Sequence, residues 1–205
     1  MEFNTRAAQW DTPMRVKRAA VIAQKIADYV PMAAEMDAME FGCGTGLISF
    51  ALQDRLHSVL LVDASRGMLD VAKAKIAQAG IHHFQVAHSD LSSTAGLPLE
   101  AFDFIYTSMA MHHVADIDAV AAVLRQLLKP GGILCIVDLD EDDGSFHADE
   151  AGFDGHNGFD QRKLAGLLAR HGFTGSRSET FLRDQRTRDG RTLDYSLFIL
   201  CAGKE

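Results

Sequence analysis

The sequence predicts an α/β fold in which helices cover both faces of a mostly parallel sheet. Five short apolar segments alternate with stretches of helical periodicity, which is typical of βαβ units. These segments span residues 38–41, 59–62, 84–87, 102–107 and 132–137. The tail differs, because Phe181-Leu182 and residues 193–202 have strand-like composition around a polar turn at Asp189-Gly190. We therefore expect a Rossmann-like, doubly wound sheet that ends in an antiparallel hairpin at its C-terminal edge.

Four stretches of the chain have apolar side chains at helical spacing and recognisable ends. They cover residues 13–30, 65–79, 118–128 and 160–171. Pro13 suits a first helical turn, and Gly80 and Gly172 can end helices in a left-handed conformation. Asp160 can cap the last helix through its carboxylate.

Length and composition indicate a single domain over residues 1–205 with a sizeable core. Hydrophobic residues make up 47% and charged residues 23% of the chain, as in ordinary globular proteins. No apolar span is long enough for a bilayer, and no basic-then-apolar leader is visible. Cys43, Cys135 and Cys201 form no C-x-x-C pair, so we expect a cytoplasmic protein without a disulfide framework or zinc site. The formal charge of −8 disfavours a broad nucleic-acid surface.

The most informative motif is Met39-Glu40-Phe41-Gly42-Cys43-Gly44-Thr45-Gly46, which leads into an apolar stretch at 47–52. Glycines at alternate positions allow a sharp turn and a close approach of the backbone to a ligand. The helix that follows would direct its N-terminus at the same ligand. Asp63 ends the second apolar segment, where Rossmann-like sheets place a carboxylate on ribose hydroxyls. The motif predicts a cofactor that contains adenosine.

The glycine spacing separates two classes of cofactor. Dinucleotide-binding chains have G-x-G-x-x-G, whereas this chain has glycines at positions 42, 44 and 46 and a carboxylate at Glu40. That carboxylate would repel a diphosphate and attract an ammonium group. S-adenosylmethionine, which joins adenosine to a cationic amino acid, fits this pattern better than NAD.

These motifs resemble, in order, those of the class I S-adenosylmethionine-dependent methyltransferases. The resemblance covers residues 38–138 and rests on the glycine motif and on residues 62–65, 86–91, 102–114 and 127–134. It implies S-adenosylmethionine as cofactor and S-adenosylhomocysteine as product. The positions that it assigns to the cofactor are Glu40, Gly42, Cys43, Gly44, Gly46, Asp63, Ala64, Met68, Asp90, Leu91, Thr107 and Ser108.

Within this set, the resemblance implies that Asp63 binds the ribose and that Asp90 meets the adenine amine. Ala64 and Met68 would enclose the adenine ring. Each position also has a purely structural interpretation: Asp63 and Asp90 can cap turns, and Met68 can belong to the core of its helix.

His112 and His113 follow the fourth strand, where the family places the transferable methyl group. An imidazole at this point can titrate near neutral pH and accept a proton from the acceptor. The alternative is a packed, hydrogen-bonded loop residue without a role in the chemistry. We expect replacement of His112 by Asn to lower turnover and to leave cofactor affinity unchanged.

Residues 139–159 form an aromatic-rich insert after the fifth strand, and equivalent inserts in related enzymes often build the acceptor pocket. Trp10, in the arm and helix of residues 1–30, could close that pocket. The predicted acceptor residues are Trp10, Asp138, Phe146, His147 and His156. The alternative is a satellite hydrophobic cluster under a long loop.

Two charged runs are expected to be solvated. Carboxylates are dense in residues 138–143, but metal-dependent relatives carry an acid where this chain has Thr107-Ser108, so we expect no metal. Four arginines at positions 183, 186, 188 and 191 are interpreted as an exposed hairpin.

The sequence therefore predicts methyl transfer to a small-molecule acceptor, mainly through positioning. Two alternatives stay open, a non-catalytic S-adenosylmethionine-binding module and an NAD-dependent oxidoreductase. Thr107-Ser108-Met109-Ala110 does not match the tetrad of DNA N-methyltransferases, which counts against that substrate. The acceptor atom, the use of a base and the oligomeric state are left open.

Overall fold

The computed structural model describes residues 2–148, 152–188 and 190–205. The helices in these residues are α1 (Glu2–Arg6), α2 (Pro13–Tyr29), α3 (Leu47–Leu52), α4 (Arg66–Ala79), α5 (Ile117–Leu127) and α6 (Gln161–Arg170). The strands are β1 (Asp37–Phe41), β2 (Ser58–Asp63), β3 (Phe84–His88), β4 (Phe102–Ser108), β5 (Leu128–Leu139), β6 (Phe173–Arg188) and β7 (Arg191–Lys204).

The strands form one sheet in the order β3-β2-β1-β4-β5-β7-β6. The first five strands in this order are parallel, and β7 runs antiparallel to both β5 and β6. β1 lies between β2 and β4, where the direction of winding reverses, and open α/β sheets bind ligands at the carboxyl ends of strands at such a point. The predicted fold class is confirmed.

Helices cover both faces of the sheet, and each face has its own apolar core. Ile22 and Ile26 of α2 pack on one face with Leu52 of α3 and with residues of α4. Leu124 of α5 and Leu168 of α6 pack on the other face. The parallel strands are apolar on both sides for this reason, as expected for a doubly covered sheet.

The structure confirms the predicted start of α2 at Pro13, the predicted Asp160 cap of α6 and the predicted end of α4 at Gly80. The Thr12 hydroxyl accepts a hydrogen bond from the Arg15 N–H at the start of α2. Asp160 accepts N–H bonds from Arg162 and Lys163 at the start of α6. Gly80 ends α4 with a φ of +65°, a conformation that glycine adopts without strain.

The edge hairpin is longer than the sequence predicts. β6 and β7 extend well beyond Phe181-Leu182 and residues 193–202, and part of the turn predicted at Asp189-Gly190 lies outside the described residues. Charged and hydroxyl side chains occupy much of β6, the exposed edge strand, so its composition does not resemble that of a buried strand. Pairing of long stretches of β6 with β7 maintains the hairpin despite this composition.

Within the described residues, the helices are too short or too polar for any of them to cross a bilayer.

Candidate active site

The glycine motif forms a tight loop between β1 and α3. Gly42, Gly44 and Gly46 have φ values of +67°, +54° and +82°, all in the left-handed region that other residues adopt only with strain. A Cβ at Gly42 would overlap the Cβ of Ala110 in the loop after β4. The loop conformation and its close approach to the β4 loop therefore require glycine at position 42.

Asp63, at the end of β2, holds the glycine loop in place. One of its carboxylate oxygens accepts a hydrogen bond from the Gly44 N–H and the other accepts from the Ser65 N–H, both at 2.7 Å. Burial raises the pKa of Asp63, and the two N–H donors oppose that rise. The side chain is only partly buried, so it remains available to further donors such as hydroxyl groups.

Glu40 lies at the end of β1 and is only 2% exposed. Its carboxyl group accepts hydrogen bonds from the Ser49 N–H at 3.2 Å and from the Ser49 hydroxyl. Burial, with a smaller effect of the neighbouring Asp63, raises the pKa of Glu40 to about 8. A cation bound beside Glu40 would favour the ionised form and would lower this pKa again.

A cavity of about 750 Å³ opens at this edge of the sheet. Its volume lies toward the upper end of the range of small-molecule sites, roughly 300–1,000 Å³. Asp63 and Asp90 lie on its wall at the β2 and β3 side, and Ser108, the last residue of β4, and His113 lie on the other side of β1. The glycine loop and Glu40 lie between these two groups, so the cavity can hold a nucleoside on one side and a second molecule on the other.

Comparison with known proteins identifies the family. A family model described as a methyltransferase domain matches residues 39–136. An uncharacterized methyltransferase of Schizosaccharomyces pombe is 29% identical over 184 residues, which cover 78% of this chain and 65% of the relative. An uncharacterized methyltransferase of Mycobacterium tuberculosis is 33% identical over 108 residues, which cover 53% of this chain and 52% of the relative.

The fold agrees with these matches. An S-adenosylmethionine-dependent methyltransferase of Thermotoga maritima superimposes with a TM-score of 0.75 at 17% identity, covering 99% of this chain and 98% of that structure. These matches support assignment of the chain to the class I S-adenosylmethionine-dependent methyltransferases. The family and its cofactor are those predicted from the sequence. This methyltransferase chain matches 65% and 52% of the length of the two curated relatives.

Most of the predicted cofactor residues line the cavity of this methyltransferase. They are Glu40, Gly42, Cys43, Gly44, Asp63, Ala64, Met68, Asp90 and Ser108. Their contacts with the cofactor stay predictions. The arrangement nevertheless fits S-adenosylmethionine, because a backbone cradle without side chains lies between a carboxylate suited to hydroxyl groups and one suited to an ammonium.

Three predicted cofactor residues lie off the cavity wall. Gly46 faces the core, where a Cβ would lie 2.8 Å from the Leu61 side chain. Leu91 is fully buried in the core on the α5 side of the sheet. Thr107 is also buried, and its hydroxyl has no hydrogen-bond partner among the described residues.

The two adjacent histidines have different surroundings. His113 is exposed and lines the cavity. His112 is buried beside Asp138, and its Nδ1 donates to the Asp138 carboxylate at 2.5 Å. The same carboxylate accepts N–H bonds from His112 at 3.3 Å and from Leu139 at 2.8 Å. His112 and Asp138 therefore anchor the loop after β4 to β5.

The aromatic insert packs against this loop, where His147 and Phe153 each lie 5.6 Å from the His113 ring. His147 stacks on Phe153 at a ring distance of 3.8 Å, and Phe146 packs against Tyr195 at 5.3 Å. The His156 N–H donates to the His112 carbonyl at 2.7 Å. Of the predicted acceptor residues, Trp10 lines the cavity, whereas Asp138, Phe146, His147 and His156 do not.

Trp10 reaches the glycine loop from the N-terminal arm. Its indole nitrogen lies 3.7 Å from the place that a Cβ would occupy at Gly44. Phe3 and Asn4 of α1 also line the cavity, and the Asn4 side-chain oxygen accepts hydrogen bonds from the Ser65 hydroxyl at 2.8 Å and the Gly67 N–H at 2.9 Å. The arm is thus a wall of the site.

Several cavity residues were not predicted from the sequence, among them Phe3, Asn4, Arg15 and Arg18. The two arginines share a face of α2 with Ala19 and Ile22, which also line the cavity. The spacing of positions 15, 18, 19 and 22 is helical, so the signal was present, but only the apolar members of the stripe were used.

Proposed function

We propose that this chain transfers a methyl group from S-adenosylmethionine to a small-molecule acceptor. The observation that carries the proposal is that Glu40, the glycine loop and Asp63 face one cavity with His113 on the far side of β1. A cradle for the cofactor and space for an acceptor are therefore continuous.

When bound, S-adenosylmethionine supplies an electrophilic methyl group that already carries a good leaving group. The chain's own residues then serve chiefly to position the reactants: Asp63 accepts from the ribose hydroxyls, Glu40 accepts from the ammonium, and Gly44 lets the backbone approach. Such positioning can contribute roughly 7–11 kcal/mol at best.

His113 is the side chain that can take part in proton transfer within this arrangement. Its imidazole can accept a proton from an acceptor that must lose one, which typically adds about 10²–10⁴-fold to the rate. His112 and Asp138 hold the loop that carries His113, and their effect on the reaction is indirect. An acceptor that has no proton to lose would not need His113 as a base.

Calorimetry with S-adenosylmethionine, S-adenosylhomocysteine and NAD tests the first half of the proposal. We expect the first two compounds to bind and NAD to show no heat. The replacement Asp63→Ala should weaken both, whereas Asp54→Ala, at an exposed position outside the cavity, should not. Binding of NAD alone would support the oxidoreductase alternative and would overturn the proposal.

A screen of acceptors with methyl-labelled cofactor tests the second half. We expect a labelled product whose formation requires Asp63 and tolerates the Asp54 replacement. If the cofactor binds but no acceptor class is labelled, the chain functions as a non-catalytic binding module.

A further inference from the structure

The side of the cavity formed by α2 is rich in positive charge, in contrast to the protein as a whole, which has a formal charge of −8. Arg15 and Arg18 lie one turn apart on α2, and both line the cavity. Partial burial and the nearby guanidinium groups of Arg18, Arg6 and Arg186 lower the pKa of Arg15. Arginine nevertheless stays protonated in proteins, so several like charges surround one end of the cavity.

Two of these guanidinium groups, those of Arg15 and Arg18, lack an acidic partner in the described part of the chain. Within residues 2–148, 152–188 and 190–205, no carboxylate forms a salt bridge with Arg15 or Arg18. Asp11 lies close enough to raise the pKa of Arg15, but its carboxylate binds Lys75 at 2.8 Å and the Thr45 hydroxyl. Like charges that lie close together without counter-charges destabilise the folded protein. Natural proteins keep such unfavourable arrangements mainly at functional sites.

The partners that the two arginines do have are neutral. Arg15 donates to the Trp10 carbonyl at 3.2 Å, and its guanidinium lies 3.9 Å from the centre of the Trp10 ring. Arg18 lies beside the Tyr195 hydroxyl and counteracts the rise that burial causes in the pKa of Tyr195. The Tyr195 hydroxyl itself donates to Asp184 at 3.1 Å. These contacts orient the guanidinium groups and leave donors for a ligand, since each guanidinium carries five N–H groups.

Arg18 lies on the acceptor side of the site, whereas Arg15 lies over the Trp10 ring, beside the glycine loop. Tyr195 belongs to β7, which follows β4 and β5 in the sheet, whereas Asp63 and Asp90 follow β2 and β3 on the opposite side of β1. The cofactor brings one carboxylate together with an ammonium and a sulfonium, so its net charge is positive. One guanidinium suffices for that carboxylate, and the remaining positive charge needs an anion from another molecule.

We propose that the methyl acceptor carries an anionic group, a carboxylate or a phosphate, which Arg18 binds at the α2 side of the cavity. This inference rests on the proposed function, because it assigns the second compartment of the cavity to the acceptor. A guanidinium group can form paired hydrogen bonds with either anion. The geometry therefore indicates an anionic acceptor, and experiment must distinguish a carboxylate from a phosphate.

Calorimetric titrations of the protein saturated with S-adenosylhomocysteine test this inference with matched probes. Benzoate and phenyl phosphate carry the two anions, benzamide is the neutral counterpart of benzoate, and benzylamine is a cation. We expect at least one of the two anions to bind, and benzamide and benzylamine to bind at least about tenfold more weakly. Binding of benzoate alone assigns a carboxylate, and binding of phenyl phosphate alone assigns a phosphate. Equal binding of benzamide, or no binding of either anion, would overturn the proposal.

Variants connect the binding to Arg18. The replacement Arg18→Gln should weaken the bound anion by about tenfold or more and change the affinity for S-adenosylhomocysteine by less than about threefold. Arg55→Gln, an exposed position outside the cavity, is the matched control and should alter neither affinity. Arg18→Lys, which keeps the charge but loses the paired hydrogen bonds, provides a second test if Arg18→Gln does not fold, and it should weaken the anion less than Arg18→Gln does. The wild-type probe series decides the question without either variant.

Two failures can be told apart. If wild-type protein does not bind S-adenosylhomocysteine, the proposed function fails before any probe is added. If Arg18→Gln weakens S-adenosylhomocysteine while the anion still binds, Arg18 serves the cofactor. The proposed function would then stand, and the anionic acceptor would be rejected.

Discussion

The Asp63 carboxylate accepts a hydrogen bond of 2.7 Å from the Gly44 N–H, so the residue assigned to the ribose also fixes the loop assigned to the amino-acid end. The same carboxylate accepts from Ser65 at the start of α4. Asp63 therefore combines the two interpretations that the sequence allowed, a binding residue and a turn cap. Replacement of Asp63 should therefore weaken ligand binding and also destabilise the protein without ligand.

Asp63→Asn tests this dual role. An amide has one acceptor oxygen in place of two, so one of the N–H bonds and the interactions of the negative charge are lost. We expect S-adenosylhomocysteine to bind more weakly by about 1.5–3 kcal/mol, the range for hydrogen bonds to charged groups. Calorimetry measures this change, with Asp54→Asn as control. An unchanged affinity would remove Asp63 from the binding site.

Gly42→Ala should be more damaging than alanine at another left-handed glycine. Gly96 has a φ of +77°, and no atom of the described residues lies within 4 Å of the place that a Cβ would occupy there. Gly96→Ala should therefore cost only the backbone strain, about 1–2 kcal/mol. At Gly42 the added methyl group would also overlap Ala110, and such overpacking typically adds about 1–3 kcal/mol. Denaturant unfolding of both variants gives the comparison. Equal losses of unfolding free energy in the two variants would mean that the β4 loop moves aside for the added methyl group without cost.

The raised pKa of Glu40, about 8 compared with an ordinary value of 4.5, predicts a pH dependence of stability. Between these values the folded protein retains a proton that the unfolded chain has released, so the free energy of unfolding should fall as pH rises through this window. Glu40→Gln cannot titrate and should flatten this part of the profile. Unfolding midpoints of both proteins, measured at several pH values across the window, test the prediction. Parallel profiles for the two proteins would contradict it.

The affinity for S-adenosylhomocysteine should change in the opposite direction. Its ammonium favours ionised Glu40, so binding below the Glu40 pKa requires release of the proton and should tighten with rising pH. One linked proton limits the slope to about tenfold per pH unit. The same slope in wild type and Glu40→Gln would show that another group is responsible.

His112 and His113 should respond differently to replacement. His112→Ala removes a buried donor from Asp138 and should destabilise the protein by about 1.5–3 kcal/mol. His113→Asn loses ring contacts with Phe3 and Phe153 but leaves no buried charge unpaired, so it should destabilise the protein less than His112→Ala and should lower turnover of the acceptor found in the labelling screen. His82→Asn, at an exposed position outside the cavity, serves as control. Full activity of His113→Asn at all pH values would exclude it as a base.

The sequence allows prediction of those parts of the site that depend on local chemistry. Gly42 and Gly44 need left-handed backbone, and Asp63 ends a strand, so their place at the sheet edge follows from position in the chain. The orientations of neighbouring side chains do not follow in this way. His112 and His113 are adjacent, but only the contact between His112 and Asp138, 26 residues later, turns one into the core and leaves the other at the cavity.

The role of α2 could not be derived for a similar reason. The apolar stripe of α2 predicts which face meets the core, but Arg15 and Arg18 extend that face beyond the sheet edge, where the cavity begins. The aromatic composition of residues 139–159 allowed either an acceptor pocket or a buried cluster, and tertiary packing places its described rings against the β4 loop. Long-range packing, not local propensity, determines both outcomes.

The bond between Asn4 and Gly67 links the cavity wall to a helix that begins outside it. Asn4 lines the cavity and Gly67 does not. A ligand that holds the N-terminal arm in place from within the cavity should therefore also protect the Gly67 N–H, which donates to Asn4. Deuterium uptake at Gly67 should therefore slow when the site fills, giving a readout of occupancy that requires no knowledge of the reaction.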